Sequence, residues 1–406
     1  MNRWTLCLVV MLLVVAGAVA EPRIKLGVDM LQVNGGDLLK GKRVGLITNL
    51  SGVNSKLEST IDVINSFSGV TLTCLFGPEH GIRGSVYAGE KVKTILDERT
   101  GIPVYSLYGN IKAPDAAMMK RLDVLVFDIQ DIGSRTYTYV WTMTECMKAA
   151  KKYNKTFVVL DRPNPINGLV VEGNTVEKGF ESSIGRYPVA YCHGMTVGEL
   201  ALFCNTEYEI GCDLRVVQME GWQRWMTWSD TGLAWTPTSP HIPEDDSSWY
   251  YPTTGIFGEL KVINHGIGYT LPFKVVGSTT FRAYDLASTL NSKKLPGVYF
   301  QPFWYTPFYG KQINIPMEGV KIVITDTKVY QPVNTGYHIM AVIQKMYPAA
   351  YEWKTNKRVK SFALANGTDN IRKMLMAGKS AEEIIGSWQK DLEKFKEKRA
   401  QYLIYP

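Results

Sequence analysis

The chain has 406 residues, a formal net charge of +7 and a hydrophobic fraction of 45%, enough for more than one sizeable core. Its lysines and arginines are spread along the chain rather than gathered in a patch, which excludes the footprint of a nucleic-acid-binding protein and leaves room for an anionic substrate. Taken in chain order, the first element is Arg3 followed by an apolar run from Leu6 to Ala20 that ends Ala18-Val19-Ala20. A charged start, an apolar stretch and an A-x-A site predict a signal peptide over 1–20, cut before Glu21. The run is shorter than the roughly 20 residues that a bilayer-spanning helix needs. The expectation is a periplasmic or secreted protein with no stable membrane insertion, against the alternative of a retained anchor.

Short apolar runs then alternate with amphipathic ones. RVGLIT (43–48), VTLTCLF (70–76), IPVYSLY (102–108), DVLVFDI (123–129) and TFVVLD (156–161) read as strands. Residues 55–66, with Leu57, Ile61 and Ile64 at helical spacing, and residues 137–154, stopped by Asn154, read as helices. Strands that alternate with helices imply βαβ units and an open parallel sheet. Each strand is followed by a polar cluster: Asn49-Leu50-Ser51-Gly52, Pro78-Glu79-His80-Gly81, Gly109-Asn110, Gln130 to Arg135, and Arg162-Pro163-Asn164-Pro165. In a parallel α/β sheet those ends share one edge, where ligands bind. The polar clusters therefore predict one pocket; the alternative is that they are ordinary solvated loops.

Residues 215–265 are loops rich in tryptophan and proline, suited to stacking on a sugar ring or to packing inward. Strands return at FKVVGS (273–278) and VKIVITD (320–326). A final helix opens with a capping box, Ser380 and Glu383, and carries Ile384, Ile385, Trp388, Leu392 and Phe395 on one face. Beyond the leader lie Cys74, Cys146, Cys192, Cys204 and Cys212. An odd number leaves one unpaired; Cys204 and Cys212 are close enough in sequence to bridge, and buried free thiols are the other reading.

Several chemistries lack their signatures. The chain has no G-x-G-x-x-G after its first strand, no P-loop and no G-x-S-x-G elbow, and no cofactor is expected. The histidines at 80, 193, 241, 265 and 338 form no H-x-x-x-H pair, so no metal is expected. What remains is carboxylates at strand ends: Glu79, Asp128, Asp131 and Asp161. Two carboxylates in different environments are the apparatus of glycoside hydrolysis. Glu79, just past an apolar strand and beside His80, is the candidate acid; the alternative is a residue that caps its turn. Asp128 can instead bond loop amides, and Asp131 can simply pair with Arg135.

FGPEHGIRG, DIQDIGSRTYTY, DRPNPI, YCHGMTVGELA, SPHIP and FKEKRAQYLIYP together resemble the exo-β-N-acetylmuramidases, over nearly all of residues 21–406 and in order. The resemblance implies a Rossmann-like N-terminal domain (21–262), a smaller α+β C-terminal domain (263–406) and an active site between them. It implies release of N-acetylmuramic acid from the non-reducing end of peptidoglycan fragments, muropeptides or disaccharides. It points to Glu79 as catalytic acid, with His80, Asp128 and Asp131 beside it. Gln130, Arg135, Tyr137, Asp161, Arg162, Asn164 and His193 fall in the shared motifs as substrate-binding candidates. Arg83, Arg135 or Arg162 would grip the lactyl carboxylate as a fork. The substrate's acetamido group is a candidate nucleophile.

One segment departs from the family. Where many relatives carry Ser-Glu-Gly-Arg-Gly-Thr and then Arg-Pro-Phe, this chain reads NHGIGYTLPF (264–273), with His265, Ile267 and Leu271 in place of charged residues. His265 is either a pocket residue or a packed loop histidine. The departure leaves open a different or differently substituted sugar. It also motivates the reading of a glycan-binding protein without turnover; a hydrolase of other cell-wall decorations is a third.

Overall fold

The computed structural model describes residues 23–83, 95–109 and 111–406; the leader expected at 1–20 lies outside them. Among the described residues no helix is long and apolar enough to cross a membrane. Seven strands form the main sheet: β1 (Arg43–Thr48), β2 (Thr71–Gly77), β3 (Ile95–Leu96), β4 (Pro103–Ser106), β5 (Val124–Asp128), β6 (Thr156–Leu160) and β7 (Leu214–Val217). Their order is β3-β4-β2-β1-β5-β6-β7, parallel throughout except for β3. The helices in this half are α1 (Gly27–Val33), α2 (Thr60–Ser66), α3 (Ala116–Met119), α4 (Tyr139–Lys152), α5 (Val197–Glu207) and α6 (Trp228–Thr231). Side-chain alternation divides the strands between two cores. Val44, Leu46, Val124, Val126, Val158 and Leu160 bury against α1 and α2. Ile47, Phe76, Leu125, Phe127, Phe157 and Val159 bury against α4 and α5.

The second half has helices α7 (Ser247–Thr254), α8 (Phe257–Leu260), α9 (Ala283–Ser292), α10 (Pro332–Met346), α11 (Val359–Asn366), α12 (Asn370–Met376), α13 (Ala381–Ser387) and α14 (Gln389–Arg399). They surround an antiparallel sheet of β8 (Val275–Ser278), β10 (Met317–Ile324) and β9 (Val298–Tyr305), in that order. The architecture is the one expected, a Rossmann-like open sheet with a second, smaller α+β unit.

Local chemistry explains where elements differ from expectation. The helix expected from 55 begins at Thr60, because Asn54 Oδ1 accepts the amides of Lys56 (3.0 Å) and Glu58 (2.9 Å) and holds a turn there. Ser59 then caps the helix through the Ile61 amide. The single terminal helix is two, broken at buried Trp388, although Ile384, Trp388, Leu392 and Phe395 still bury together. Strands β7 and β9 carried no recognised pattern. The five described cysteines are free and buried. Of the tryptophans in 215–265, Trp222, Trp228 and Trp249 are buried in the cores.

Two buried cations join the halves. The Arg135 guanidinium donates to the carbonyls of Asn174 (2.5 Å) and Val189 (3.0 Å) and to Ala365 (3.1 Å) and Asn366 (2.9 Å) at the carboxyl end of α11. Arg399 of α14 donates to the carbonyls of Gly168, His193 and Gly194. Burial pushes each guanidinium down to about 10, and the carbonyl dipoles around each offset part of that cost.

The chain's last residues return to the main sheet. Asp161, at the end of β6, accepts from the amides of Arg162 (2.8 Å) and Gly198 (2.7 Å), from Thr196 Oγ1 (2.8 Å) and from the Tyr405 hydroxyl (2.6 Å). Gly27 lies so close that a Cβ there would stand 2.3 Å from the Asp161 nitrogen, which is why α1 starts with glycine. Burial pushes the Asp161 carboxyl up from 3.8 to about 6. The folded state then takes up this proton near pH 6 and the unfolded state near 3.8, so this group adds stability as pH falls between them. The Tyr405 hydroxyl bonds the charged form best. Tyr405→Phe should therefore lose about 1.5–3 kcal/mol at pH 8 and clearly less at pH 5. Urea unfolding at both pH values checks this; equal losses would contradict it.

Candidate active site

The chain leaves β1 toward β2 on one side of the sheet and leaves β5 toward β6 on the other, which opens a crevice at the carboxyl ends of these neighbours. After β2 the backbone turns sharply: the Gly81 amide donates to the Pro78 carbonyl (2.9 Å), and His80 (φ 72°) and Gly81 (φ 73°) are both left-handed. A left-handed histidine is a strained position that persists when its surroundings hold it. The turn sets a half-buried Glu79 at the mouth of the crevice, where its Oε2 accepts the Thr138 hydroxyl (3.1 Å) just before α4.

Neutral hydroxyls line the next layer. Tyr139 donates to the Thr238 carbonyl (2.8 Å), the Tyr137 hydroxyl meets Thr238 Oγ1 (2.6 Å), and Asn49 Nδ2 also donates to the Thr238 carbonyl (3.1 Å). Burial, chiefly, pushes both phenols well above their ordinary value, so both keep their protons. These bonds pin the loop that carries His241. There, His241 Nε2 meets the Tyr309 hydroxyl at 2.9 Å, and the two rings lie within 4° of parallel. Burial, then His80, pushes His241 below its usual value. Burial, then His241, pushes His265 down to about 4. His265 packs on Phe273 and against Gly258, where a Cβ would meet its Nε2 at 2.7 Å. Three histidines thus converge from β2, the 238–243 loop and the second half, and two of them are neutral near pH 7.

The β5 end is more tightly bound. Asp128 is fully buried and holds the Arg162 fork, Nε to Oδ1 at 2.5 Å and a terminal nitrogen to Oδ2 at 2.8 Å, with the Thr60 hydroxyl on Oδ2 as well. Gln130 Nε2 donates to the carbonyls of Asp131 (2.7 Å) and Pro163 (2.8 Å). Asp131 Oδ2 accepts the Gly133 amide (2.7 Å) and stands 3.3 Å from His193 Nε2, off the line of a hydrogen bond. His193 Nδ1 accepts the Met195 amide (3.2 Å), which puts the ring proton on Nε2, facing Asp131. Gln130 Oε1 and Asp131 Oδ1 are buried with no hydrogen-bond partner among the described residues.

The expected residues therefore separate. Glu79, His80, His265 and Tyr137 gather with Thr138, Tyr139 and His241 around the crevice mouth. Asp128, Gln130, Asp131, Arg162 and His193 form its buried wall. Asp161 is closed off by four donors, and Asn164 bonds the Met195 carbonyl (3.1 Å) and the Ile166 amide (3.1 Å). Arg135 is bound to carbonyls and does not touch Asp131. Of the three candidate arginines only Arg83 is open, its side chain 53% exposed and paired with Asp97 at 2.5 Å. His241 was visible as part of SPHIP but not singled out for the site; Tyr309 carried no motif.

The N-terminal model of the exo-β-N-acetylmuramidase NamZ family matches residues 44–246, and its C-terminal model matches residues 249–405. The peptidoglycan β-N-acetylmuramidase NamZ of Bacillus subtilis (strain 168) is 43% identical over 385 residues, 95% of this chain and 92% of its own length. Two crystal structures of DUF1343 family proteins from Bacteroides fragilis NCTC 9343 share the fold. One has a TM-score of 0.89 at 42% identity, covering 95% of this chain and 99% of its own. The other has a TM-score of 0.75 at 28% identity, covering 94% and 99%. With both halves matched in order, the chain belongs to the exo-β-N-acetylmuramidase NamZ family of glycoside hydrolases.

Proposed function

We propose that this protein is an exo-acting glycosidase that releases terminal N-acetylmuramic acid from the non-reducing end of peptidoglycan-derived disaccharides or muropeptides, in a periplasm or outside the cell, as a step in cell-wall recycling. The observation that carries the reading is the position of Glu79. It is a half-buried carboxyl at the mouth of the crevice with one hydroxyl donor, whereas Asp128 and Asp161 are committed to internal partners and Asp131 is buried with one oxygen on the Gly133 amide. A carboxyl so placed can give up a proton and take it back.

Glu79 donates its proton to the glycosidic oxygen as the C1–O bond breaks. With the other strand-end carboxylates buried in the wall, the nucleophile is the substrate's own acetamido oxygen, which closes on C1. Glu79, now a carboxylate, takes a proton from the water that reopens this ring, and the sugar leaves with its configuration retained. Gln130 Oε1 and Asp131 Oδ1 are free acceptors for sugar hydroxyl and amide donors. Neutral His241 and His265 bring hydrogen-bonding rings without a positive charge near the electron-poor C1. Arg83 is the reader of the lactyl carboxylate. The uncharged 264–273 segment leaves that task to the N-terminal half.

Two outcomes test this. Glu79→Gln should lower kcat on a chromogenic β-N-acetylmuramide by about 10²–10⁴ with KM little changed. If the wild type binds the disaccharide and hydrolyses nothing, the protein is a glycan-binding member of the family instead. Arg83→Gln should reduce the ratio of kcat/KM for the muramide over the matching N-acetylglucosaminide by roughly tenfold or more, the value of one charge-assisted hydrogen bond. An unchanged ratio would move carboxylate recognition to another residue.

A further inference from the structure

From His241 a line of rings runs away from the crevice across the second half. His241 and Tyr309 lie parallel and edge to edge, with centroids 6.1 Å apart. Tyr309 adjoins Phe308 at 5.5 Å, and Phe308 adjoins Tyr269 at 6.3 Å. These rings sit on the β9–β10 loop and on the 264–273 segment, which brace each other. The Phe308 amide donates to the Gly268 carbonyl (2.8 Å), Asn264 Nδ2 to Gln312 Oε1 (2.8 Å), and the Asn314 amide to the Pro307 carbonyl (2.8 Å). Gly268 (φ 99°) comes so close to the loop that a Cβ would lie 2.6 Å from the Tyr309 carbonyl oxygen. The loop is therefore held in one shape, yet Phe308 remains 55% exposed. A braced loop that keeps a large apolar ring in water beside a glycosidase crevice is built for a ligand face.

We propose that Phe308 and Tyr309 form the leaving-group subsite, where the pyranose on the reducing side of the scissile bond stacks. This rests on the exo-glycosidase reading. The Asp128–Arg162 pair and Gln130 form the buried strand-end wall, and the terminal sugar is placed against that wall. The rest of the fragment extends outward past His80 and His241 onto these rings. The apolar face of an N-acetylhexosamine lies on Phe308. The Tyr309 hydroxyl, held by His241, fixes the angle of its neighbour. The two rings, 59° apart, cradle one sugar rather than a flat extended strand.

The test compares two substrates of the same glycone: the β-1,4-linked N-acetylmuramyl–N-acetylglucosamine disaccharide and the methyl β-N-acetylmuramide, which has no second ring. Phe308→Ala and Tyr309→Ala should each reduce the ratio of kcat/KM, disaccharide over methyl glycoside, by roughly threefold to tenfold. The loss should appear in KM. Phe308→Trp should keep the ratio. Tyr284→Ala, which removes an exposed aromatic packed on Trp304, should leave the ratio unchanged. Ratios unaltered in both alanine variants overturn the subsite. If the wild type cleaves neither substrate, the glycosidase reading falls and calorimetry of disaccharide binding decides the subsite. Weaker binding in Phe308→Ala than in wild type upholds it, and equal or absent binding overturns it.

Discussion

The buried ion pair of Asp128 and Arg162 organises the edge of the sheet on which everything else stands. Asp128 ends β5, Arg162 follows β6, the Thr60 hydroxyl at the start of α2 donates to the same carboxylate, and Arg162 also holds the Val53 carbonyl (2.7 Å) after β1. One charge pair thus joins segments that leave three neighbouring strands and a helix. Removing two charges from water is costly, and a close, bidentate geometry with a further bond to the Val53 carbonyl offsets part of that. An apolar substitute would fill the space but would not dictate which loop lies where. The pair's value is in placing the segments that carry Gln130 and Asp131, rather than in net stability.

A second constraint lies where the two halves meet. Arg135 and Arg399 are buried with no direct ion pair among the described residues and are held by seven carbonyls drawn from both halves. Carbonyl groups reach a guanidinium only if their backbones are correctly placed, so these contacts demand one relative position of the halves. The continuous core running from the main sheet into the β9–β10 sheet makes the same demand through packing. That rigidity lets a residue of the second half, Tyr309, contribute to a site whose carboxyl comes from the first.

Much of the fold was legible in the sequence because parallel strands buried on both faces read as short apolar runs, and β1, β2, β5 and β6 match the runs identified to within a residue at each end. The polar cluster after each strand marked the crevice edge for the same reason. Less legible was what each polar residue does, since a motif does not say whether a guanidinium points to a ligand or to carbonyls. Arg135 and Arg162 share their motifs with Gln130 and Asn164, and only packing distinguishes an internal tie from an open group. Tyr309 and Phe308 lie in a loop with no periodicity, and their importance comes from contact with residues that are distant in sequence. The helix expected at 55–66 failed at its start because Asn54 offered the backbone a competing turn, which local hydrophobic spacing cannot reveal.

The chemistry of an exo-acting hydrolase asks for asymmetry: a closed end that measures one sugar and an open end that tolerates the remainder. On the proposed reading, this crevice has that asymmetry. On the buried side, polar atoms are either satisfied internally or, as with Gln130 Oε1 and Asp131 Oδ1, left as acceptors with no partner among the described residues, which a donating ligand can satisfy. On the open side the surface changes to aromatic rings and exposed backbone turns, which favour a sugar face without dictating its hydroxyl pattern. Glu79 stands at the boundary between the two. A strained turn places it there, and the loop of His241 is tied to the second half through Tyr309. On the proposed reading, specificity for the terminal sugar and tolerance of the aglycone are set by different halves of the molecule, and the rigid joint between them keeps the scissile bond at the carboxyl.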